Sequence, residues 1–100
     1  MITITKRVIK QSDCMFISLK GHANYAPLGQ DIVCSAVSIL YQTLLISLKE
    51  WKINVKEKGD NEIHTLVIKK PTYDAQILIQ SFFWGLKEIA KVYPNHVQIV

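Results

Sequence analysis

The chain has little of what most specialised small proteins lean on. Cys14 and Cys34 are the only two cysteines in 100 residues, too few for a disulfide framework, and no C-x-x-C or H-x-x-x-H spacing supplies a zinc ligand set. A metal site built on His22 and Cys34 would want more ligands than these two, so neither a metal nor any other cofactor is expected. No apolar run matches the roughly 20 residues of a spanning helix; the stretch from Ile32 to Leu48 is broken by Ser35, Ser38, Gln42, Thr43 and Ser47. The opening, Met1 to Lys10, carries Lys6, Arg7 and Lys10 without a continuous apolar segment, unlike a signal peptide. With reduced thiols as the default away from secretion, the expected compartment is the cytoplasm. Linkers, repeats and low-complexity segments are missing as well. Residues 1–100 therefore read as one domain, and a hydrophobic content of 49% is ample for one core.

Charge is also modest. The net charge of +4 permits an acidic partner such as RNA without arguing for one. Lys49, Lys52, Lys56 and Lys58 are interspersed with Glu50 and Glu57, and only Lys69 and Lys70 are adjacent. In the linear sequence this reads as a solubilising surface, so direct nucleic-acid binding is not expected.

What is present is a regular alternation of strand and helix signals. Ile2, Ile4 and Val8–Ile9 suggest a strand to about Lys10. Gln11 to Asp13 form a turn, and Cys14, Phe16, Ile17 and Leu19 make a second strand ending at Lys20–Gly21. Val33, Val37, Leu40, Leu44 and Leu48 recur at three- and four-residue steps, predicting a helix from Asp31 to Lys49. Ile32, Ala36, Ile39 and Ile46 widen its buried surface. Ile53 to Glu57 and Ile63 to Ile68 alternate about a Gly59–Asp60–Asn61 turn, with His64 read as a sheet-surface residue. Pro71 stops that strand, and Thr72 caps a second helix from Tyr73 to Val92. His96 to Val100 closes the chain as a short strand. The order ββαββαβ predicts an α+β domain, a mixed and largely antiparallel sheet with two α-helices on one face.

One stretch carries chemistry. Lys20 to Leu40 runs from a strand end, through a loop holding Gly21, Pro27 and Gly29, into the first helix. Asp31 is placed to cap that helix, which puts Cys34 in its first turn, where unpaired N–H groups and the positive end of the helix dipole favour an anion. A thiol in such a place ionises more readily than a free one, and a nearby imidazole, here His22, completes the parts of a nucleophilic site. Ser38 lies one turn beyond Cys34 on the same face. Two bland alternatives stay open on the residues alone: Cys34 as a small core side chain, and His22 as a solvated loop residue.

The two elements G-H-A-N-Y-A at Gly21 to Ala26 and G-Q-D-I-V-C-S-A-V-S at Gly29 to Ser38, with G-L-K-E-I-A-K-V-Y-P-N-H-V at Gly85 to Val97, resemble the ribosomal-processing cysteine protease family (the YsxB-like, or Prp, family) over nearly the whole chain. The resemblance implies a cytoplasmic, homodimeric and metal-free bacterial endopeptidase. Its expected substrate is the N-terminal extension of a large-subunit ribosomal protein, number twenty-seven in the bacterial naming, cleaved after an apolar, Phe-containing segment. It implies Cys34 as nucleophile and His22 as general base. Gly21, Asp31 and Ser38 support them, Asp31 either capping the helix or orienting His22. Backbone N–H groups around Cys34 would receive the oxyanion. Separately, the small residues of the loop 23–30 and its position between base and nucleophile suggest a lid that closes over substrate. The competing reading is a non-enzymatic ribosome- or RNA-associated binding module.

Overall fold

The computed structural model describes every residue except Leu28. Strands β1 (Ile2–Ile9) and β2 (Cys14–Lys20) form an antiparallel hairpin, with Ile4 opposite Leu19 and Arg7 opposite Phe16. Helix α1 (Ile32–Glu50) follows, then the hairpin β3 (Val55–Gly59) and β4 (Ile63–Lys69), helix α2 (Tyr73–Val92) and β5 (Val97–Ile99). The five strands lie in the order β3-β4-β2-β1-β5. Only β5 runs parallel to its neighbour β1, because α2 supplies the crossover a parallel connection needs. The expected ββαββαβ architecture is the observed one.

Strand alternation builds the core. Ile2, Ile4, Met15, Ile17, Leu19, Leu66, Ile68 and Val97 are buried on one face of the sheet, and both helices lie over that face. From α1 come Val33, Val37, Tyr41, Leu44, Leu45 and Leu48; from α2 come Ala75, Ile79, Phe82, Phe83 and Leu86. The helices approach closely at Gly85, where even a Cβ would press on the side chain of Leu40. The Tyr41 hydroxyl donates to the Glu57 carboxylate, fastening α1 to β3. Burial, then the bond to Glu57 and its charge, raise the Tyr41 pKa well above its ordinary value, so this phenol stays neutral.

Three expectations need correction. By length and a mean hydropathy of 1.6, α1 does match a spanning helix in composition, although here its apolar face packs in the core. Ile32, Ile39 and Ile46, expected to widen that buried surface, are exposed instead; the sheet and α2 already use the opposite faces. Finally, β3 begins at Val55 rather than Ile53. The N–H groups of Trp51, Lys52 and Ile53 close the end of α1 on the carbonyls of Ser47, Lys49 and Leu48, with Lys52 left-handed at φ 58°.

Candidate active site

The site lies where β2 ends and α1 begins. Gly21 has φ +90°, a conformation that side chains rarely adopt, and a Cβ there would collide with the carbonyl oxygen of Met1. Its N–H donates to the Glu62 carbonyl at 2.9 Å, which ties the end of β2 to the β3–β4 turn. The chain thereby projects His22 outward, with its side chain 54% exposed. The His22 Nε2 lies 3.5 Å from Glu62 Oε1. Glu62 is itself set by the turn, since Asp60 Oδ1 accepts from the N–H groups of Glu62 at 2.8 Å and Ile63 at 3.0 Å.

Across from it, Asp31 caps α1. Its Oδ1 accepts from the Cys34 N–H at 2.9 Å, and its Oδ2 from the Tyr25 N–H at 3.0 Å. Both carboxylate oxygens are thus engaged by backbone, and the carboxylate beside His22 is Glu62. The capping alternative is the one the geometry realises. It also occupies the Cys34 amide, while the Ser35 N–H is taken by the Asp31 carbonyl at 3.1 Å. The two first-turn amides nearest the sulfur are thus both bonded to Asp31.

Two hollows meet at this point. The larger, of about 330 Å³, is lined by His22, Asn24, Ala26, Gly29, Asp31, Cys34, Ser35 and Ser38. The other, of about 210 Å³, has an apolar floor of Leu19, Val37 and Tyr41 and a rim that includes Glu62 and His64. His22, Cys34 and Ser38 line both. The five residues singled out from sequence thus lie in one place, Gly21 and Asp31 each reaching one of the hollows. Sequence reasoning missed Glu62. His64, read as a sheet-surface residue, is exposed on β4, and it also lines the smaller hollow. The alternation that buries Leu66 and Ile68 puts His64 on the helix side of the sheet, beside Tyr41 with ring centroids 5.7 Å apart.

The loop after His22 is anchored at its start. Ala23 is buried, and its carbonyl accepts from His96 Nδ1 at 2.8 Å. The Tyr25 ring stands edge-on to Tyr93 and His96. Any closure over substrate therefore belongs to residues after Tyr25; Leu28, within the loop read as a lid, lies outside the described residues.

Asp31 carries two predictions. Partial desolvation opposes its charge, but the N–H groups of Cys34, Tyr25, Ala26 and Val33 prevail and hold its pKa below the ordinary 3.8. Asp60 is likewise held below 3.8, by the N–H groups of Glu62 and Ile63 against a smaller desolvation. A lowered native pKa means that the unfolded chain binds the proton first. The stabilisation is therefore complete above pH 3.8 and is lost as pH falls through the native values. Thermal melts followed from pH 6 downward should show a decline beginning near pH 4 that is shallower in Asp31→Asn. Asp31→Ala should lower the melting temperature by a few degrees. It should also reduce turnover by up to about a hundredfold, because the helix start that positions the sulfur loosens; circular dichroism and single-turnover cleavage would check the two halves.

A thiol at the opening of a helix, an imidazole delivered by the neighbouring strand and a divided hollow running past both are the equipment of a cysteine peptidase. The chain belongs to the cysteine protease Prp family, whose sequence model it matches over residues 1–98. It is 33% identical over 84 residues to the ribosomal processing cysteine protease Prp of Mycoplasma genitalium, covering 84% of this chain and 85% of that one. Its fold is similar to that of the essential ribosomal processing protease Prp from S. aureus. With a covalently linked product peptide, that structure aligns at a TM-score of 0.88 and 19% identity over 99% of this chain and 97% of the other. With a substrate peptide it aligns at 0.80 and 19% identity over 100% and 98%. The protein is thus a cysteine protease.

Proposed function

We propose that this chain removes the N-terminal extension of a large-subunit ribosomal protein, number twenty-seven, in the cytoplasm, using Cys34 and His22. The observation that carries the reading is that the Cys34 thiol and the His22 imidazole line the same two hollows. The name of the Mycoplasma genitalium relative supports ribosomal processing.

In this mechanism Cys34 Sγ attacks the carbonyl carbon of the scissile bond while its proton passes to His22. The carbon–nitrogen bond then breaks, and His22 returns the proton to the leaving amine, leaving a thioester on Cys34. Water, deprotonated by His22, attacks the thioester and releases the carboxylate and the thiol. Glu62 steadies the imidazole through Nε2, so that Nδ1 does the proton transfer. Gly21 and Asp31 fix the two reacting side chains by holding their backbones. With the Cys34 amide taken by Asp31, the polar side chains lining the larger hollow, Asn24 and Ser38, serve the oxyanion. The apolar floor of Leu19, Val37 and Tyr41 takes the Phe-containing segment before the cut.

The test is mass spectrometry of the extended ribosomal protein incubated with this chain. Loss of a defined N-terminal peptide supports the reading, and an intact precursor after prolonged incubation refutes it. The protein also acts as a homodimer in this reading, supported by the exposure of Ile39, Ile46, Ile77 and Trp84 on the two helices. Light scattering should give twice the monomer mass for the parent chain and the monomer mass for Trp84→Glu.

A further inference from the structure

The helices cover one face of the sheet, and among the described residues the other is bare. We propose that this bare face is a binding surface for single-stranded RNA. Strand alternation collects on it cations that the linear sequence disperses. Arg7 of β1, Lys20 of β2, Lys56 and Lys58 of β3 and Lys69 of β4 share the parity of Phe16, Ser18 and Thr65 through the pairs Arg7–Phe16, Ser18–Thr65 and Lys58–Thr65. Glu57 is the one carboxylate residue within the strands, and it faces the other way, bonded to Tyr41. Among the described residues none of the five cations pairs with a carboxylate. Their charge exceeds the chain's net +4, so the rest of the molecule is close to neutral. A single-signed field of this kind, left uncompensated by the protein, calls for a polyanion.

The centre of the face narrows the choice of polyanion. Half-buried Phe16 lines a shallow hollow of about 300 Å³ together with Ser18 and Thr65, whose hydroxyls lie 3.1 Å apart. An aromatic side chain on the open face of a sheet, with hydroxyls beside it and cations on the same face, accepts a stacked base at the middle and phosphates at the edge. An acidic peptide would use the cations and leave the ring and hydroxyls without a role. The surface is on the far side of the sheet from the two hollows, and Lys20 brings its margin to within two residues of His22. RNA held there would leave the peptidase site open.

Fluorescence anisotropy with a labelled single-stranded RNA of about 12 nucleotides, titrated against salt, tests this. At about 0.7 counterions per neutralised phosphate, contact with all five cations gives a slope of log affinity on log salt near −3.5. Lys56→Gln with Lys58→Gln should make that slope shallower by about 1.4. Phe16→Ala should weaken binding at least about fivefold with the slope unchanged. The exposed helix pair Lys87→Gln and Lys91→Gln should change neither, and melting curves confirm that each variant is folded. The proposal is overturned by undetectable binding at about 50 mM salt, by a loss with the helix pair equal to that with the strand pair, or by equal affinity for a polyglutamate peptide of the same length, which would make the surface an acidic-peptide site.

Discussion

Cys34→Ala is expected to reduce cleavage of the ribosomal-protein precursor by at least about a thousandfold while leaving the fold standing. No other side chain at the meeting of the two hollows can form the acyl intermediate with comparable nucleophilicity; Ser38, one turn further on, is a hydroxyl, intrinsically a far weaker nucleophile than a thiol. The structural cost is small for two reasons. Cys34 is half-buried against the core, so truncation at Cβ removes a single heavy atom and costs on the order of 1 kcal/mol. The contact that starts α1 uses the Cys34 backbone N–H, not its sulfur, and survives the substitution. The variant should therefore melt close to the parent and still bind the precursor. A variant that cleaves at the parental rate would remove Cys34 from the chemistry, and one that is unfolded would show that the sulfur has a packing role this arrangement does not suggest.

The parts of the site that were readable in sequence are those fixed by local rules. Asp31 three residues before Cys34 is a capping pattern, and the cap forms between those two residues. Gly21 before His22 marks a turn, and the backbone there is left-handed. The alternation in Ile2–Ile9 and Cys14–Lys20 is enough to pair them. What stayed hidden depends on which strands become neighbours. Glu62 meets His22 because β4 lies against β2, with Lys20 opposite Ile63, a pairing across some forty positions that no local signal announces. The five cations of the bare face come from four strands, so they look scattered until the sheet order is known. The end of α1 was illegible differently: Lys52 takes the left-handed turn usually given to glycine, and Ile53 consequently packs against the core instead of extending β3.

Gly21→Ala should do what Cys34→Ala does not, and damage stability and catalysis together. The backbone at φ +90° alone costs a non-glycine residue about 1–3 kcal/mol. The added Cβ also meets a backbone carbonyl, that of Met1, and a main-chain atom at the edge of β1 has little freedom to retreat. Relief must come from moving the β2 end. That movement strains the Gly21 N–H bond to Glu62, and with it the turn that sets the carboxylate beside His22. Both the imidazole and its partner shift, whereas Cys34, held by Asp31 on α1, stays where it was. The expected signature is a melting temperature lowered by several degrees and turnover down about a hundredfold, with the reactivity of the Cys34 thiol toward iodoacetamide changed far less than turnover. Full activity in a folded Gly21→Ala protein would mean that the histidine is positioned by something other than this turn.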